Sequence, residues 1–265
     1  TNYILCDEPS ITYYRFEFDF DFHPENITRF KKYLEEKFGS IKTLNTCLGT
    51  AYKHFSDIYP PVTAQARKNK QWAIWNEWRQ HNDTIMADGY KMYKEAVQAA
   101  DPKGTISLSG TQTANPFDGF DWAKLSPHFG SMQGYGYGDQ ERKRMSFNNN
   151  PMINAVPAGY GRAGRAVDFQ IWDSVTNHGG GHVLFWWIAF RNPDLTFCKS
   201  AYDYMAIFKE MKSGIGRQFL LAERELTPIA LHYSMNSMRT AYSQGKGKAY
   251  HDAADKTAKE LVAIG

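Results

Sequence analysis

The chain has 265 residues, with 31 Lys and Arg against 28 Asp and Glu for a formal net charge of +3. Hydrophobic residues at 42% and charged residues at 22% are ordinary globular values, which sets aside disordered and fibrous classes; so small and scattered a positive charge sets aside a nucleic-acid partner. The longest wholly apolar run, residues 183–190, falls far short of the ~20 residues a membrane-spanning helix needs, so no membrane partner is expected.

Cys6, Cys47 and Cys198 stand far apart with no CxxC pair, which argues against a disulfide scaffold and a cysteine-rich zinc site and leaves the compartment open. Aromatic residues reach 15%, with seven Trp and sixteen Tyr. Such side chains fill cores. They also line carbohydrate sites, where apolar sugar faces stack on rings while ring N–H or O–H groups reach hydroxyls.

Tyr3-Ile4-Leu5-Cys6 opens the chain as a buried strand running straight into Asp7-Glu8-Pro9-Ser10, and a strand with no lead-in suggests a piece of a longer or processed chain. Phe16, Phe18, Phe20 and Phe22 then alternate with Glu17, Asp19 and Asp21, which predicts an extended segment with one apolar face. Pro24 suits a first helical turn; Ile27, Phe30, Leu34 and Phe38 form a helical stripe that Gly39 ends. A short helix is predicted over 41–47, and Tyr59-Pro60-Pro61 breaks the chain again.

From about residue 82 a new helix is predicted, with Met86, Tyr90, Tyr93, Val97 and Ala100 on one face and a turn at Asp101-Pro102-Lys103-Gly104. Strands follow over 105–109, 131–137, 152–156 and 182–190, with helices near 120–125, 167–177 and 200–212, the last stopping at Gly214. Strand and helix alternate about four times, the rhythm of a parallel α/β sheet. Ligands in such folds gather at the carboxyl ends of strands. Beyond Gly216, the connector Glu223-Arg224-Glu225, a strand over 228–234 and a polar helix over 252–264 read as the opening of a second α/β domain. The expected boundary near residue 222 gives a first domain over 1–222 and the start of a second over 223–265.

Glycoside hydrolysis needs two carboxyl groups across one glycosidic bond. Glu8 qualifies by position, two residues past an apolar strand and just before Pro9. An acid beside Asp7 at an apolar strand mouth would have a raised pKa suited to a proton donor; the plainer role is a cap for the next segment. Glu77, in Trp75-Asn76-Glu77-Trp78-Arg79, is the other candidate acid. Its polar flanks favour a helix start with Trp75 and Trp78 facing the core. For the opposing carboxylate, Asp139 and Glu141 follow Tyr135-Gly136-Tyr137-Gly138, although Glu141-Arg142-Lys143-Arg144 also suits a solvated charged turn. Gln112, Asp121-Trp122, Trp186-Trp187 and Arg191 complete the site-like features.

The order of these features resembles the family-42 glycoside hydrolases over nearly the whole chain. It runs from the Asp7-Glu8 strand end through the stretch from Phe30 to Gly39 with Ile41, Leu44-Asn45 and Gly49-Thr50, then His178-Gly179, Phe185-Trp186-Trp187, and the stretch from Pro228 to Ser234. The resemblance implies a β-galactosidase-like enzyme on a (β/α)8 TIM barrel, with this chain covering strands 4–8 and entering the trimerisation domain at about residue 227. Glu8 falls at the family's acid/base, with Asp7 in place of the usual Asn. The segment from Trp75 to Arg79 falls at the start of the fourth helix. Tyr135 or Tyr137 falls at the sixth strand end and Trp186 at the eighth.

The family's nucleophile position, around Ala155-Val156-Pro157, has no acid here, and the family's zinc-binding cysteines are missing. The expected catalytic set is therefore Glu8 with Glu141 or Asp139. Asp7, Gln112, Trp122, Tyr135, Tyr137, Trp186 and Arg191 are expected to bind a carbohydrate substrate, with no metal and no cofactor. Two other roles follow from the missing nucleophile: a sugar-binding barrel that has lost catalysis, or a scaffold for the second domain. A barrel closes by pairing its first and eighth strands. A chain holding only strands 4–8 therefore implies a companion chain or upstream segment carrying the N-terminal half, and the family resemblance implies a homotrimer.

Overall fold

The computed structural model of the chain describes residues 1–11, 17–111, 114–134, 156–158, 168–169, 171–172, 175–176, 183–185, 190–222 and 229–263. Strands β1 (Asn2–Asp7), β2 (Thr105–Thr111) and β3 (Ser131–Gly134) form one parallel sheet in that order; β4 (Val156–Ala158) and β5 (Val183–Phe185) form a second parallel pair. The parallel pairing expected from the strand–helix rhythm is present. On the central strand, Ile106, Ser107 and Leu108 are all fully buried, as befits a strand covered on both faces. At the edge, β1 tucks Leu5 and Cys6 against the core while Ile4 is 52% exposed.

Helix α1 (Pro24–Phe38) begins where His23 Nδ1 accepts the Glu25 N–H at 3.3 Å and ends at Gly39, whose φ of 68° a side chain would resist. Its stripe of Ile27, Phe30 and Leu34 is buried, each contributing on the order of 1.5–3 kcal/mol. Helix α2 (Ile41–Leu48) is capped by Ser40. The Leu44-Asn45 motif now has a physical meaning. Leu44 enters the core, and Asn45 braces the next turn by accepting from Tyr52 N and Thr50 Oγ1 and donating to the Tyr52 carbonyl.

After helix α3 (Thr63–Asn69) comes α4 (Trp72–Ala100), 29 residues in one run. The sequence had suggested a helix start near Trp75 and a separate stretch from residue 82; the two are continuous. The N-terminal half carries Ile74 and Trp78 into a core with Phe30, Leu34, Leu44 and Ile58, while Met86, Ala87 and Tyr90 pack on Ile106 and Leu108 of the sheet. Tyr93, placed on the core face by its spacing, is 51% exposed.

The alternation is reversed in facing at residues 18–20, whereas Phe22 packs inward on Trp78 with ring centroids 5.3 Å apart. Phe18 and Phe20 are 47% and 41% exposed, whereas Asp19 turns inward to Thr63 and Arg79. Paired charge and hydrogen bonds outweigh apolar burial in deciding which side faces in.

Helix α5 (Trp122–Leu125) follows β2. Helix α6 (Lys199–Glu210) does not stop at Gly214: the chain kinks there, with φ 122°, and resumes as α7 (Gly216–Leu221). The strand expected over 228–234 is corrected. Residues 229–234 join no sheet among the described residues, and Ile229 and Leu231 lie exposed. Tyr233 is held, accepting from Trp122 N and donating to the Phe120 carbonyl. Ser234 instead caps a helix the sequence did not suggest, α8 (Met235–Ser243), and α9 (Gly247–Ala263) begins earlier than the predicted 252. Met235 and Met238 share the core of Met86, Ile106 and Trp122. Through these two side chains α8 packs against the core that α4 shares with the first sheet.

Candidate active site

The carboxyl ends of β1, β2 and β3 lie side by side: Asp7 is level with Ser109, Ser109 with Gln133, and Thr111 with Gly134. Directly after β1, Glu8 takes a left-handed backbone with φ 45°, a conformation that costs a non-glycine residue of order 1–3 kcal/mol and that clusters at functional sites. The turn throws the chain out of the sheet. Ile11 then returns to donate its N–H to the Asp118 carbonyl at 3.3 Å. Gly119, with φ 82°, makes this docking possible, since a Cβ there would lie 2.9 Å from Ile11 and 2.7 Å from Met86 Sδ.

Asp7 and Glu8 are both exposed. The apolar enclosure expected around Glu8 is therefore absent among the described residues, because the outer side of the edge strand is uncovered. Trp122 is corrected outright. It is 2% exposed, tilted against Phe120 with ring centroids 5.3 Å apart and locked in the sheet-side core, so it has no face to offer a sugar. Arg191 is exposed at the start of a tight loop that bridges back to Phe197. Gln112, Tyr135, Tyr137, Asp139, Glu141 and Trp186 lie outside the described residues.

Glu77 is held in a hydrogen-bonded network. It sits 5% exposed on α4, accepting from Lys37 Nζ at 2.6 Å, Tyr33 Oη at 3.0 Å and Gln80 Nε2 at 3.3 Å. Glu77→Gln is expected to cost about 1–3 kcal/mol in urea unfolding while leaving any glycosidase turnover intact; a turnover loss of a hundredfold would instead make it the acid.

What the sequence did not foreshadow is a line of interred charge along α4. Arg79 is 1% exposed, paired with Asp19 at 2.8 Å and seated over the rings of Trp75 and Phe117. Burial draws its guanidinium down to about 10, and Asp19 opposes that shift. One turn on, Asp83 meets Arg239 of α8 at 2.8 Å, both side chains 1% exposed. Lys124 donates to Thr84 Oγ1 and the Gln80 carbonyl, with its pKa lowered by burial. Burial, and then the charge of Asp83, raise the pKa of the Asp121 carboxyl. Arg79 with Asp19 and Asp83 with Arg239 form ion pairs, and Lys124 and Asp121 are held by neutral partners, an arrangement of a structural network.

His81 belongs to the same network. Its Nε2–H donates to Asn26 Oδ1 at 2.9 Å between the rings of Phe30, Tyr33 and Trp78, and burial brings its pKa down to about 4. The unfolded chain, with a histidine near ~6.5, then holds a proton the folded chain lacks between the two values. Stability is thus full above pH ~6.5 and falls as pH drops toward 4. Thermal melts from pH 4 to 7 should show a steeper decline for the natural protein than for His81→Gln. Equal slopes would mean the imidazole protonates without opening the fold.

The profile of glycoside hydrolase family 42, described as beta-galactosidase, matches residues 13–167, more than half of the chain. The chain belongs to glycoside hydrolase family 42. Glu8 lies just ahead of the matched segment. A search of the curated proteins finds no match. Among solved structures, the chain is similar to the catalytic domain of beta-amylase from Paenibacillus polymyxa, at 17% identity and a TM-score of 0.55 over 74% of this chain and 57% of that one. It is also similar to an apo exo-carrageenase of family 42 from Bacteroides ovatus, at 14% identity and a TM-score of 0.48 over 74% of this chain and 32% of that one. The beta-amylase likeness is one of fold, and the chain spans little more than half of that domain's length.

Proposed function

We propose that this family-42 chain carries part of the catalytic barrel of a glycoside hydrolase acting on β-galactosides or related β-linked glycans, with Glu8 as the acid that protonates the leaving oxygen. The observation that carries this is the placement of Glu8: an exposed carboxyl at the carboxyl end of a parallel strand, beside two further strand ends, on a backbone bent in a way a glutamate rarely adopts. In this reading the two parallel sheets are arcs of one (β/α)8 barrel with β1 as its fourth strand. Glu141 or Asp139, past the end of β3, supplies the second carboxyl. Asp7, Gln112, Tyr135, Tyr137, Trp186 and Arg191 line the sugar site. The remaining strands come from an N-terminal half-barrel on the same or a companion polypeptide, and the assembly is a homo-oligomer.

A second role is favoured by one specific observation: the family's nucleophile position falls on Ala155-Val156-Pro157, where β4 begins and no acid stands. A barrel that binds galactosides without cleaving them would have that composition. Aryl β-galactosides presented to the intact protein separate the two. Turnover lost on separate replacement of Glu8 and of Glu141 supports hydrolysis; galactoside affinity in calorimetry with no turnover supports binding alone; turnover unchanged in both variants would remove Glu8 and Glu141 from the chemistry.

A further inference from the structure

Two anchors bracket Glu8. Ahead of it, Asp7 is level with Ser109, and from Ile4 to Asp7 strand β1 takes three residue steps where β2 takes two. Such a bulge re-aims the strand that carries it. Behind Glu8, the Ile11 N–H reaches the Asp118 carbonyl at 3.3 Å. Residues 8–10 therefore form an arch with one foot on β2 and the other on the loop between β2 and α5. The arch resists its own shape. Glu8 has φ 45°, although the proline that follows it favours an extended backbone at that position. A shape its own residues disfavour has to be imposed from the feet.

The second foot is built to stay in place. Asp118 and Phe120 are fully buried and Phe117 nearly so. Asn115 Oδ1 accepts from Phe117 N at 2.8 Å and Asp118 N at 3.0 Å, Asn115 Nδ2 donates to Asp118 Oδ2, and the Gly119 carbonyl accepts from Asp121 N at 2.9 Å. A buried loop needs its backbone groups matched in this way. Gly119 adds the notch. Its φ of 82° and the 2.9 Å that a Cβ would leave to Ile11 Cγ1 and Cδ1 together exclude any side chain. Ile11 is clasped between this glycine and the core that Met86 belongs to. We propose that Gly119 and Asn115 are positioning residues for Glu8, so that the loop after β2, and not β1 alone, sets where the acid stands. The inference rests on the catalytic role proposed above for Glu8.

Turnover of aryl β-galactosides by the intact protein, run beside amide hydrogen exchange, tests it. Gly119→Ala displaces Ile11 and should lower kcat on poor leaving groups about ten- to hundredfold, with KM changed less than about twofold. Galactosides of strongly acidic phenols should suffer far less, whereas a variant that only loosened the fold would slow every substrate alike. Asn115→Ala should give the same split at about three- to tenfold, and Asn115→Ser, whose hydroxyl still accepts from the loop backbone, should restore turnover. Exchange at the Ile11 amide reads the foot directly. Its protection should fall in Gly119→Ala and Asn115→Ala while that of Leu108 on β2 holds; if Gly119→Ala does not fold, Asn115→Ala carries both measurements. A leaving-group split in Glu8→Gln that neither loop variant reproduces would overturn the positioning role and keep the acid. No turnover by the natural protein would remove the acid instead. Lost Ile11 protection in the variants would then uphold the anchoring alone, and unchanged protection would overturn that too.

Discussion

Arg239→Met should lower the unfolding free energy by about 3–5 kcal/mol, the largest stability effect expected of any substitution discussed. Arg239 and Asp83 meet at 2.8 Å with both side chains 1% exposed, and Arg239 Nε also donates to the Pro116 carbonyl at 3.2 Å. Methionine fills much of the same volume, so the loss reflects charge more than packing. It strands the Asp83 carboxylate in a low-dielectric interior, beside an Asp121 whose own carboxyl already feels it. Replacing both partners, as in Asp83→Leu with Arg239→Met, should recover most of the deficit, because two well-packed apolar groups are often as stable as a buried ion pair. Urea titrations of the two singles and the double give the coupling directly. A single-variant loss below about 1 kcal/mol, the range of exposed pairs, would mean that water reaches the pair and that α8 is not anchored there.

The second large effect concerns chemistry. Glu8→Gln should reduce kcat on galactosides with poor leaving groups by about 10²–10⁴-fold, the usual worth of a positioned general acid. Galactosides of strongly acidic phenols should suffer far less, since such a phenolate departs without a proton. This leaving-group split is the signature of a lost acid, and a general loss of folding would not reproduce it. Glu8→Gly adds a complementary test. With φ at 45°, glycine relieves the backbone and should raise the melting temperature, yet turnover should vanish. A protein that becomes more stable as it loses activity would show that the strain is kept for function. Full activity of Glu8→Gln on every substrate would end the assignment.

How much of this was legible in the sequence depended on what each residue had to satisfy. Helix α1 was readable because its stripe of Ile27, Phe30 and Leu34 meets one core and Gly39 ends it. The parallel strands were readable because apolar runs alternate with amphipathic helices. The facing of Phe18, Asp19 and Phe20 was not, because Asp19 finds partners on Thr63 and Arg79, 44 and 60 residues away, and no local periodicity encodes that. The continuity of α4 was hidden for a related reason: Arg79, His81, Asn82 and Asp83 look like a solvated stretch but are all buried, each matched to a group elsewhere in the chain. Trp122 shows the limit for aromatics, since composition alone does not distinguish a ring that packs from a ring that binds. The strand expected over 228–234 failed among the described residues because Ile229 and Leu231 stay exposed, while Tyr233 and Ser234 are tied to Phe120, Trp122 and Tyr250 and not to a neighbouring strand.

The charges interred along α4 also shape how the molecule responds to temperature. Unfolding hydrates apolar groups, which raises heat capacity, and polar groups, which lowers it. A helix that hides Glu77, Arg79 and Asp83 among its tryptophans releases both kinds of surface at once, so the two contributions partly cancel. The stability curve is correspondingly broader than an all-hydrocarbon interior of the same size would give. Because ion dehydration becomes less costly on warming, these pairs lose less of their worth near the upper end of that curve than at its cold end.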